Sequence, residues 1–567
     1  MKRLLSIAKN TFDSDYAAIL LLLAFSAALF APAAFLGIPQ NYDLGQHLRF
    51  AQTWHDAIAG GNFLPSWGAA DNAGLGSAGI RFYPPVTHFV LAVTQFVTGS
   101  WYDTLWVTML GWMFIGSVGV FKLASEWSSR SIAFGSAVLY VLVPYHLLQV
   151  FQAFFLAEFA AAAVLPFCFL YAHRLLTKGD TINVLLFAAS YSALVLTHIP
   201  TTIMGTLSLA VFVLGFVSAE NFFRVALRFA SAFAISLAAT AFFWVRMVSE
   251  LSWVKHNTPE YFASGVYNYS VHFFPMLYSA GEAYWARFLW LFDISILATC
   301  ALCIPALIVV FRKKFDAPRH LISLLAVAGF ALFMMSVVSA PVWDNISLIQ
   351  KLQFPFRWLS PASLAAALLF PLGAAAVVKN RTVITRPFAY GLASALMFVI
   401  VLDVSQIIVP SAPVPREEVA KAIRKLDKEP GCECWWPIWA SRDATKNVVP
   451  AAAGDREFVI TRWESTDRRF TVNAGSAESV RVGTFFYPHW RATVNGAHAD
   501  VSPDPHGLIE VPIPPEAAEV MLEFHEPPIV VASRYISAVT LAAIFLFLLF
   551  TIGSFKKSLK QPRKFVL

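Results

Sequence analysis

The sequence predicts a polytopic α-helical membrane protein with about 12 transmembrane helices and one extracytoplasmic β-rich domain set before the last helix. Three observations carry this. Of 567 residues, 57% are hydrophobic and only 14% charged, with mean hydropathy +0.61, roughly half the charge of a soluble chain. Twelve apolar runs approach the roughly 20 residues that a bilayer requires of a helix. Between 410 and 532 these runs give way to short segments that alternate apolar and polar residues.

The apolar runs lie near 16–37, 103–123, 131–147, 152–176, 181–198, 201–218, 225–247, 288–311, 320–339, 356–378, 387–409 and 533–554. The first follows a basic start, as in a signal peptide. It is too long for such a segment, and "APAAFLGIPQ" makes a poor cleavage site, so it is expected to stay as a span. A further run, 86–99, has only 14 residues and includes His88 and Gln95. Charge decides its place. If it does not cross and the amino terminus is cytoplasmic, the basic tracts 122–130, 173–180, 222–228, 311–320, 379–386 and 556–564 all fall inside, as the positive-inside rule requires. If it crossed, they would all move outside. The run is therefore expected as a lipid-facing or re-entrant helix within the outer loop.

This sidedness divides the chain into a transmembrane domain, 1–409, a soluble outer domain, 410–532, and a last span with a basic tail, 533–567. The outer face receives the first loop, 38–102, two further loops at 248–287 and 340–355, and the soluble domain; both termini are cytoplasmic. The net charge of +7 sits in tracts between spans, so it describes topology and implies no nucleic-acid partner.

The soluble domain opens on a helical pattern, "PREEVAKAIRKLDKE". It then alternates in the β manner through "REFVITRW", "RRFTVNA", "SVRVGTFFY", "RATVNG", "LIEVPIP" and "EVMLEFHE". Asn495-Gly496 is a hairpin signal, and a small β-sandwich is expected. Trp435, Trp436, Trp439, Trp463 and Trp490 supply either its core or sugar-stacking surfaces. Of the five cysteines, Cys168, Cys300 and Cys303 lie in apolar segments and read as small buried hydrophobes. Cys432 and Cys434 lack the two-residue spacer of a redox or zinc motif; a bridge and two thiols both fit.

Chemistry gathers in the polar stretch 41–85. Asp43 is the first acidic residue after the first span, and His47, four residues on, shares its helix face. A carboxylate there either caps the helix or, with a raised pKa, acts as a general base. "GGNFLPSW", "NAGLGSAG" and "RFYPP" follow, rich in turn formers and carrying aromatics such as Tyr83. A loop of this kind is costly to order unless something binds over it, and a polar head group on a lipid suits it. Asp71, in "ADNAG", reads as a turn residue. Glu158 lies just inside the outer membrane boundary, where an ionisable group is either functional or paired with another helix.

The succession from "DLGQH" to "RFYPP" directly after the first span resembles the bacterial membrane family labelled 6-pyruvoyl-tetrahydropterin-synthase-related. That family looks like a branch of the GT-C glycosyltransferase superfamily, alongside protein mannosyltransferases and the aminoarabinose transferases of lipid A. "QAFFLAEFAAAAVLP" (152–166), "LTHIPTT" (196–202), "LQFPFRWLSPASL" (352–364) and "FFYPHWRATVNG" (485–496) extend the resemblance along nearly the whole chain. It implies a GT-C-like enzyme of the bacterial inner membrane that performs inverting transfer. The donor would be a polyprenyl-phosphate sugar and the acceptor an envelope polysaccharide, lipid or protein. Only Asp43 matches the family's catalytic aspartate. Arg357, in "FPFR" at the outer boundary, is the first residue expected to meet the leaving phosphate, against simple snorkelling. His47, Tyr83, Glu158 and His198 complete the expected substrate-binding set. His198 in "THIP" is otherwise an interfacial histidine, and His47 either orients Asp43 or belongs to a metal site.

Some members of the superfamily use a divalent cation, Mg or Mn, and others do not. The family often shows a second acidic residue near the first, and this chain has one. His489 stands where the family often has glycine, which implies a locally different turn. The competing reading is a non-catalytic lipid-linked glycan transporter or assembly scaffold. A transporter predicts paired broken spans with midplane charges in both halves, whereas here the polar residues cluster at the outer boundary.

Overall fold

The computed structural model describes residues 14–39, 43–276, 283–312, 317–379, 386–446 and 448–560. Among the described residues, eight helices are long and apolar enough to cross a membrane: Asp15–Phe35, Trp101–Ala124, Arg130–Ala153, Leu156–Thr177, Phe222–Ala239, Leu289–Phe311, Pro355–Val378 and Pro528–Thr551. Four other expected spans are shorter apolar helices, Thr181–Val195, Ile199–Leu214, Arg319–Met335 and Ser394–Ile408. At 1.5 Å per residue Thr181–Val195, Ile199–Leu214 and Arg319–Met335 are shorter than the roughly 30 Å of hydrocarbon, whereas Ser394–Ile408 continues a helix that starts at Arg386. The short run forms the helix Val86–Thr98, 13 residues long, with Val93, Phe96 and Val97 exposed along it.

The bundle packs through small residues, which let backbones approach closely. Gly373, in the helix Leu359–Lys379, meets the backbone of a facing helix. A Cβ there would sit 2.5 Å from the backbone nitrogen of Ala306 in the facing helix Ala283–Phe311.

Charges sort to opposite ends. At one end Asp15 takes Lys122 at 2.6 Å and Arg130 at 2.7 Å, and Glu126 takes Arg174 at 2.6 Å. The basic tracts 311–320, 379–386 and 556–564 fall partly outside the described residues. At the other end the first loop, the segments after 248 and 340, and the soluble domain meet. β1 (Ile38–Pro39) pairs with β2 (Pro413–Val414), joining the end of the first span to the start of the soluble domain. The helix Arg416–Leu426 follows and lies on the helix Leu44–Ala59, where the Arg49 guanidinium donates to the Leu426 carbonyl.

The soluble domain holds two antiparallel sheets. The four-stranded one runs β3 (Ala451–Ala452), β6 (Ser479–Phe485), β10 (Leu508–Pro512), β9 (Ser502–Pro503); the five-stranded one runs β4 (Phe458–Trp463), β5 (Asp467–Val472), β11 (Ala518–Phe524), β7 (Trp490–Val494), β8 (Ala497–Ala499). Inward residues of both, among them Val482 and Ile509 from one and Phe470 and Leu522 from the other, share one core. Asn495 (φ 53°) and Gly496 (φ 79°) both occupy the left-handed region between β7 and β8, the backbone that a two-residue hairpin turn requires. Trp67, Leu75 and Phe82 of the first loop enter this same core. The loop is thus one wall of the soluble domain, and that burial is what orders it.

A buried ion network fastens these parts. Arg81 donates from Nε and Nη2 to Glu250 at 2.6 Å each, and from Nη1 and Nη2 to Glu526 at 2.9 and 2.8 Å. Tyr487 donates its hydroxyl to Glu250 at 2.5 Å, His489 Nε2 lies 3.0 Å from the same carboxylate, and Arg534 reaches Glu526 at 2.7 Å. Burial alone would raise the Glu250 carboxyl, but the bonds from Arg81 and His489 outweigh it and hold it at about 2. One guanidinium thus grips the first loop, the helix Ala241–Glu250 and the segment between β11 and the last helix, and Tyr487 and His489 join the same centre through Glu250. His489, where a locally different turn is expected, also contacts Glu250.

Two stability predictions arise. Arg81→Met leaves Glu250 buried without its cation, while Glu526 keeps Arg534, and should cost about 3–5 kcal/mol, read as a lower melting temperature in detergent; adding Glu250→Gln should recover part of the loss. Gly373→Ala should cost about 1–3 kcal/mol by overpacking, measured the same way.

Candidate active site

Where the gripped segments meet the bundle they enclose a cavity of about 920 Å³. Asp43, His47, Tyr83, His198 and Arg357 all line it, and Glu158 stands directly behind Arg357. Residues up to 314 positions apart in sequence are thus brought together by the fold.

Asp43 precedes the helix Leu44–Ala59, yet its carboxylate makes no capping hydrogen bond. It is open to the cavity while protein closes around it. Loss of bulk hydration pushes its pKa up to about 6; the Arg357 charge works against this rise and Glu158 adds to it. The helix cap weighed for this residue therefore does not occupy its side chain.

His47 sits one turn on. Its Nδ1 is 3.0 Å from Nε2 of His88, with the rings stacked at 5.3 Å. Burial pushes it down to about 4, so it is neutral at pH 7 and the bond joins two neutral rings. Tyr83 packs edge-on to both, at 6.0 and 4.9 Å, and burial raises its phenol, with Asp43 adding to the rise. His198 caps the helix Ile199–Leu214, its Nδ1 bonding Thr201 Oγ1 at 2.8 Å and accepting from the Thr201 N–H at 3.4 Å.

Arg357 is held at three points. Its Nε lies 3.2 Å from Glu158 Oε2, and its Nη1 donates to the Leu352 carbonyl at 2.7 Å and to Gln353 Oε1 at 3.3 Å. The guanidinium lies 4.8 Å from the centre of the Phe354 ring. Glu158 in turn accepts from the Tyr145 hydroxyl at 2.5 Å. Glu158 is thus paired with a residue of another helix, and that partner faces the cavity.

One further wall was not legible in advance. Cys432 and Cys434 are joined as a disulfide and line the cavity beside Trp435. The Trp435 ring stacks on His256 at 4.5 Å and meets Tyr83 at 5.4 Å, whereas Trp436 and Trp490 are buried in the core of the soluble domain. Asp71 does form a turn, its carbonyl accepting from the Gly76 N–H at 2.8 Å. Lys351, His256 and Asn257 also line the cavity. No spacing pattern marks them, and only the folded loop 251–276 reveals them.

A divalent cation needs several converging oxygen or nitrogen ligands. Among the described residues, Glu250, His489 and Glu526 place ligand atoms within 4.8 Å of one another. The Arg81 guanidinium already binds both of those carboxylates, so the group is a salt-bridge centre and does not fit a metal. In the cavity, among the described residues, Asp43 has no second carboxylate beside it that is not already paired with arginine.

Structural comparison finds similarity to the arabinofuranosyltransferase AftD from Mycobacteria, with 16% identity and a TM-score of 0.40 over 73% of this chain and 28% of that one. ArnT from Cupriavidus metallidurans, bound to undecaprenyl phosphate, matches at 13% identity and a TM-score of 0.32 over 64% of this chain and 79% of that one. The oligosaccharyltransferase of Archaeoglobus fulgidus in the apo form matches at 13% identity and a TM-score of 0.44, over 73% and 56%. The chain thus spans under a third of the length of AftD. No curated protein matches it in sequence. The profile of one membrane-protein family matches residues 80–414, more than half of the sequence, and the chain belongs to that family, the 6-pyruvoyl-tetrahydropterin synthase related proteins.

Proposed function

We propose that this protein is a GT-C-type inverting glycosyltransferase that moves a sugar from a polyprenyl-phosphate donor to an extracytoplasmic envelope acceptor. The observation that carries the reading is one cavity holding an uncapped, hard-to-ionise carboxylate, Asp43, within electrostatic reach of a braced arginine, Arg357. A glycosyl transfer needs both. Asp43 takes the proton of the acceptor hydroxyl as its oxygen attacks the anomeric carbon. The bond from that carbon to the phosphate oxygen breaks, and its electron pair leaves with the polyprenyl phosphate. Arg357 meets that charge with a planar fork suited to phosphate. Because Glu158 and the Leu352 carbonyl hold the guanidinium before substrate arrives, little reorganisation is needed at the moment of reaction.

The lipid has a matching wall. Ile199, Ile203, Met247, Leu348 and Phe292 give the cavity an apolar side, while Tyr83, His47 and His198 present polar edges to the sugar. In this reading the cavity lies at the outer boundary of a bacterial inner membrane, with both termini inside.

The direct test compares wild type with Asp43→Asn and Arg357→Ala in matched membranes supplied with a panel of polyprenyl-phosphate sugars. Asp43→Asn should reduce turnover by roughly 100-fold or more, and Arg357→Ala by a similar factor. Equal rates for wild type and Asp43→Asn would remove Asp43 as base. A wild type inert with every donor would favour the transporter or scaffold reading.

The raised Asp43 pKa gives two pH predictions. A base works ionised, so the transfer rate should rise with pH through about 6 rather than through the ordinary value 3.8. For stability the sign is opposite. Between 3.8 and about 6 the folded state holds this proton more tightly than the unfolded chain, so stability from this group falls as pH rises. Asp43→Asn removes that cost and should raise the melting temperature at pH 7 while abolishing transfer.

A further inference from the structure

The transfer chemistry uses one cation of the cavity, and the cavity holds another. Lys351 lines it six residues before Arg357. Arg357 has a counter-ion in Glu158 at 3.2 Å. The contacts of Lys351 are neutral: its Nζ donates to Asn257 Oδ1 at 2.5 Å and lies 5.6 Å from the centre of the Phe262 ring. Among the described residues no carboxylate lies within salt-bridge distance of it. The side chain is half-buried, and that desolvation lowers its pKa. A partly desolvated ammonium without a counter-ion costs free energy until a ligand brings negative charge. An ammonium carries three donors; one is spent on Asn257, and two remain.

The surroundings are those of a carbohydrate site rather than a lipid site. Asn257, Tyr261 and Phe262 come from one outer loop, and Trp435 from the segment after the disulfide. Aromatic faces take the C–H side of a pyranose, and amide and phenol groups take its hydroxyls. His256, held down to about 4 chiefly by burial and further by Arg357 and Lys351, is neutral. Lys351 is therefore an uncommitted positive charge beside Asn257 and Phe262, whereas Arg357 is already paired with Glu158.

We infer that this end of the cavity is the acceptor subsite, and that it selects a sugar bearing an anionic group, a uronate or a phosphorylated residue, through contact of Lys351 with the oxyanion. This rests on the reading of the cavity as a glycosyl-transfer site. The test is binding to the full-length protein in nanodiscs, with four probes: an oligogalacturonate, an oligosaccharide ending in mannose 6-phosphate, a neutral oligoglucan, and undecaprenyl phosphate.

Wild type should bind at least one anionic sugar about tenfold more tightly than the neutral one, with the preference shrinking as salt rises. Lys351→Met should erase that preference and Lys351→Arg should keep it, with undecaprenyl phosphate affinity unchanged in both. No preference in wild type, or a preference that survives Lys351→Met, overturns the inference. Loss of undecaprenyl phosphate binding in Lys351→Met, with sugar binding intact, also overturns it, because the cation would then belong to the lipid phosphate. Failure of wild type to bind undecaprenyl phosphate at all sinks the donor reading instead, and the sugar comparison still reports on Lys351. The wild-type comparison stands even if a variant does not fold.

Discussion

Arg81 lies at the joint of the molecule. Its guanidinium is wholly buried between Glu250 and Glu526, and those two residues come from the end of a bundle helix and from the segment between the last strand and the last helix. Two carboxylates around one guanidinium leave a surplus negative charge, which Arg534 meets at Glu526 and His489 shares at Glu250. Such a centre gains little net stability over apolar packing, because both signs must be stripped of water. Its directional hydrogen bonds instead specify one arrangement of the parts. Apolar surfaces alone, such as Trp67 against Trp490 at 5.9 Å, tolerate sliding that a bidentate ion pair does not.

That specification reaches the cavity through short lengths of chain. Arg81 is two residues from Tyr83, and Glu250 is one residue from Leu251, both cavity-lining. On the opposite wall Arg357 is fixed by Glu158 and by its own loop. The charge pattern inside follows from which cations are already committed. Arg357 is balanced, so its field at Asp43 only partly offsets desolvation. Lys351 is not balanced, so it is the site's unspent charge. A cavity with one braced cation near the base and one uncommitted cation near the aromatics is asymmetric, as a two-substrate reaction requires.

Much of this was readable from residues alone because it depends on local pattern. Apolar runs marked the helices, Asn495-Gly496 marked its hairpin, and the basic tracts sorted the loops into groups that do meet in space. The residues nominated for the site, from Asp43 to Arg357, converge on one cavity. Arg81 and Lys351 were not readable. A lone arginine in "IRFYPP" looks like any interfacial cation until residues 169 and 445 positions away close on it. The state of Cys432 and Cys434 and the place of Trp435 likewise depend on three-dimensional packing. Helix length was not readable either: hydropathy sees apolar content, but a helix of 15 residues such as Thr181–Val195 spans hydrocarbon only with bilayer adjustment to relieve the mismatch.

The cavity wall also breaks local rules that the rest of the chain obeys. Among the described residues, five non-glycine residues adopt positive φ. Asn72, Ala73 and Asn495 lie in turns, where short side chains tolerate that backbone. The other two, Phe154 (φ 56°) and Gln353 (φ 64°), are larger. Phe154 lies between cavity-lining Ala153 and Phe155, where a π-helical turn ends, and Gln353 lines the cavity and braces Arg357. Each left-handed residue of this kind costs about 1–3 kcal/mol and persists only where surrounding structure over-determines it. Asp43 belongs with them: a carboxylate at a helix start that forgoes its cap and faces the cavity instead. Unfavourable choices at Gln353 and Asp43 on the wall of one cavity, and at Phe154 directly behind it, mark the place where stability has been given up for a fixed geometry around a reacting group.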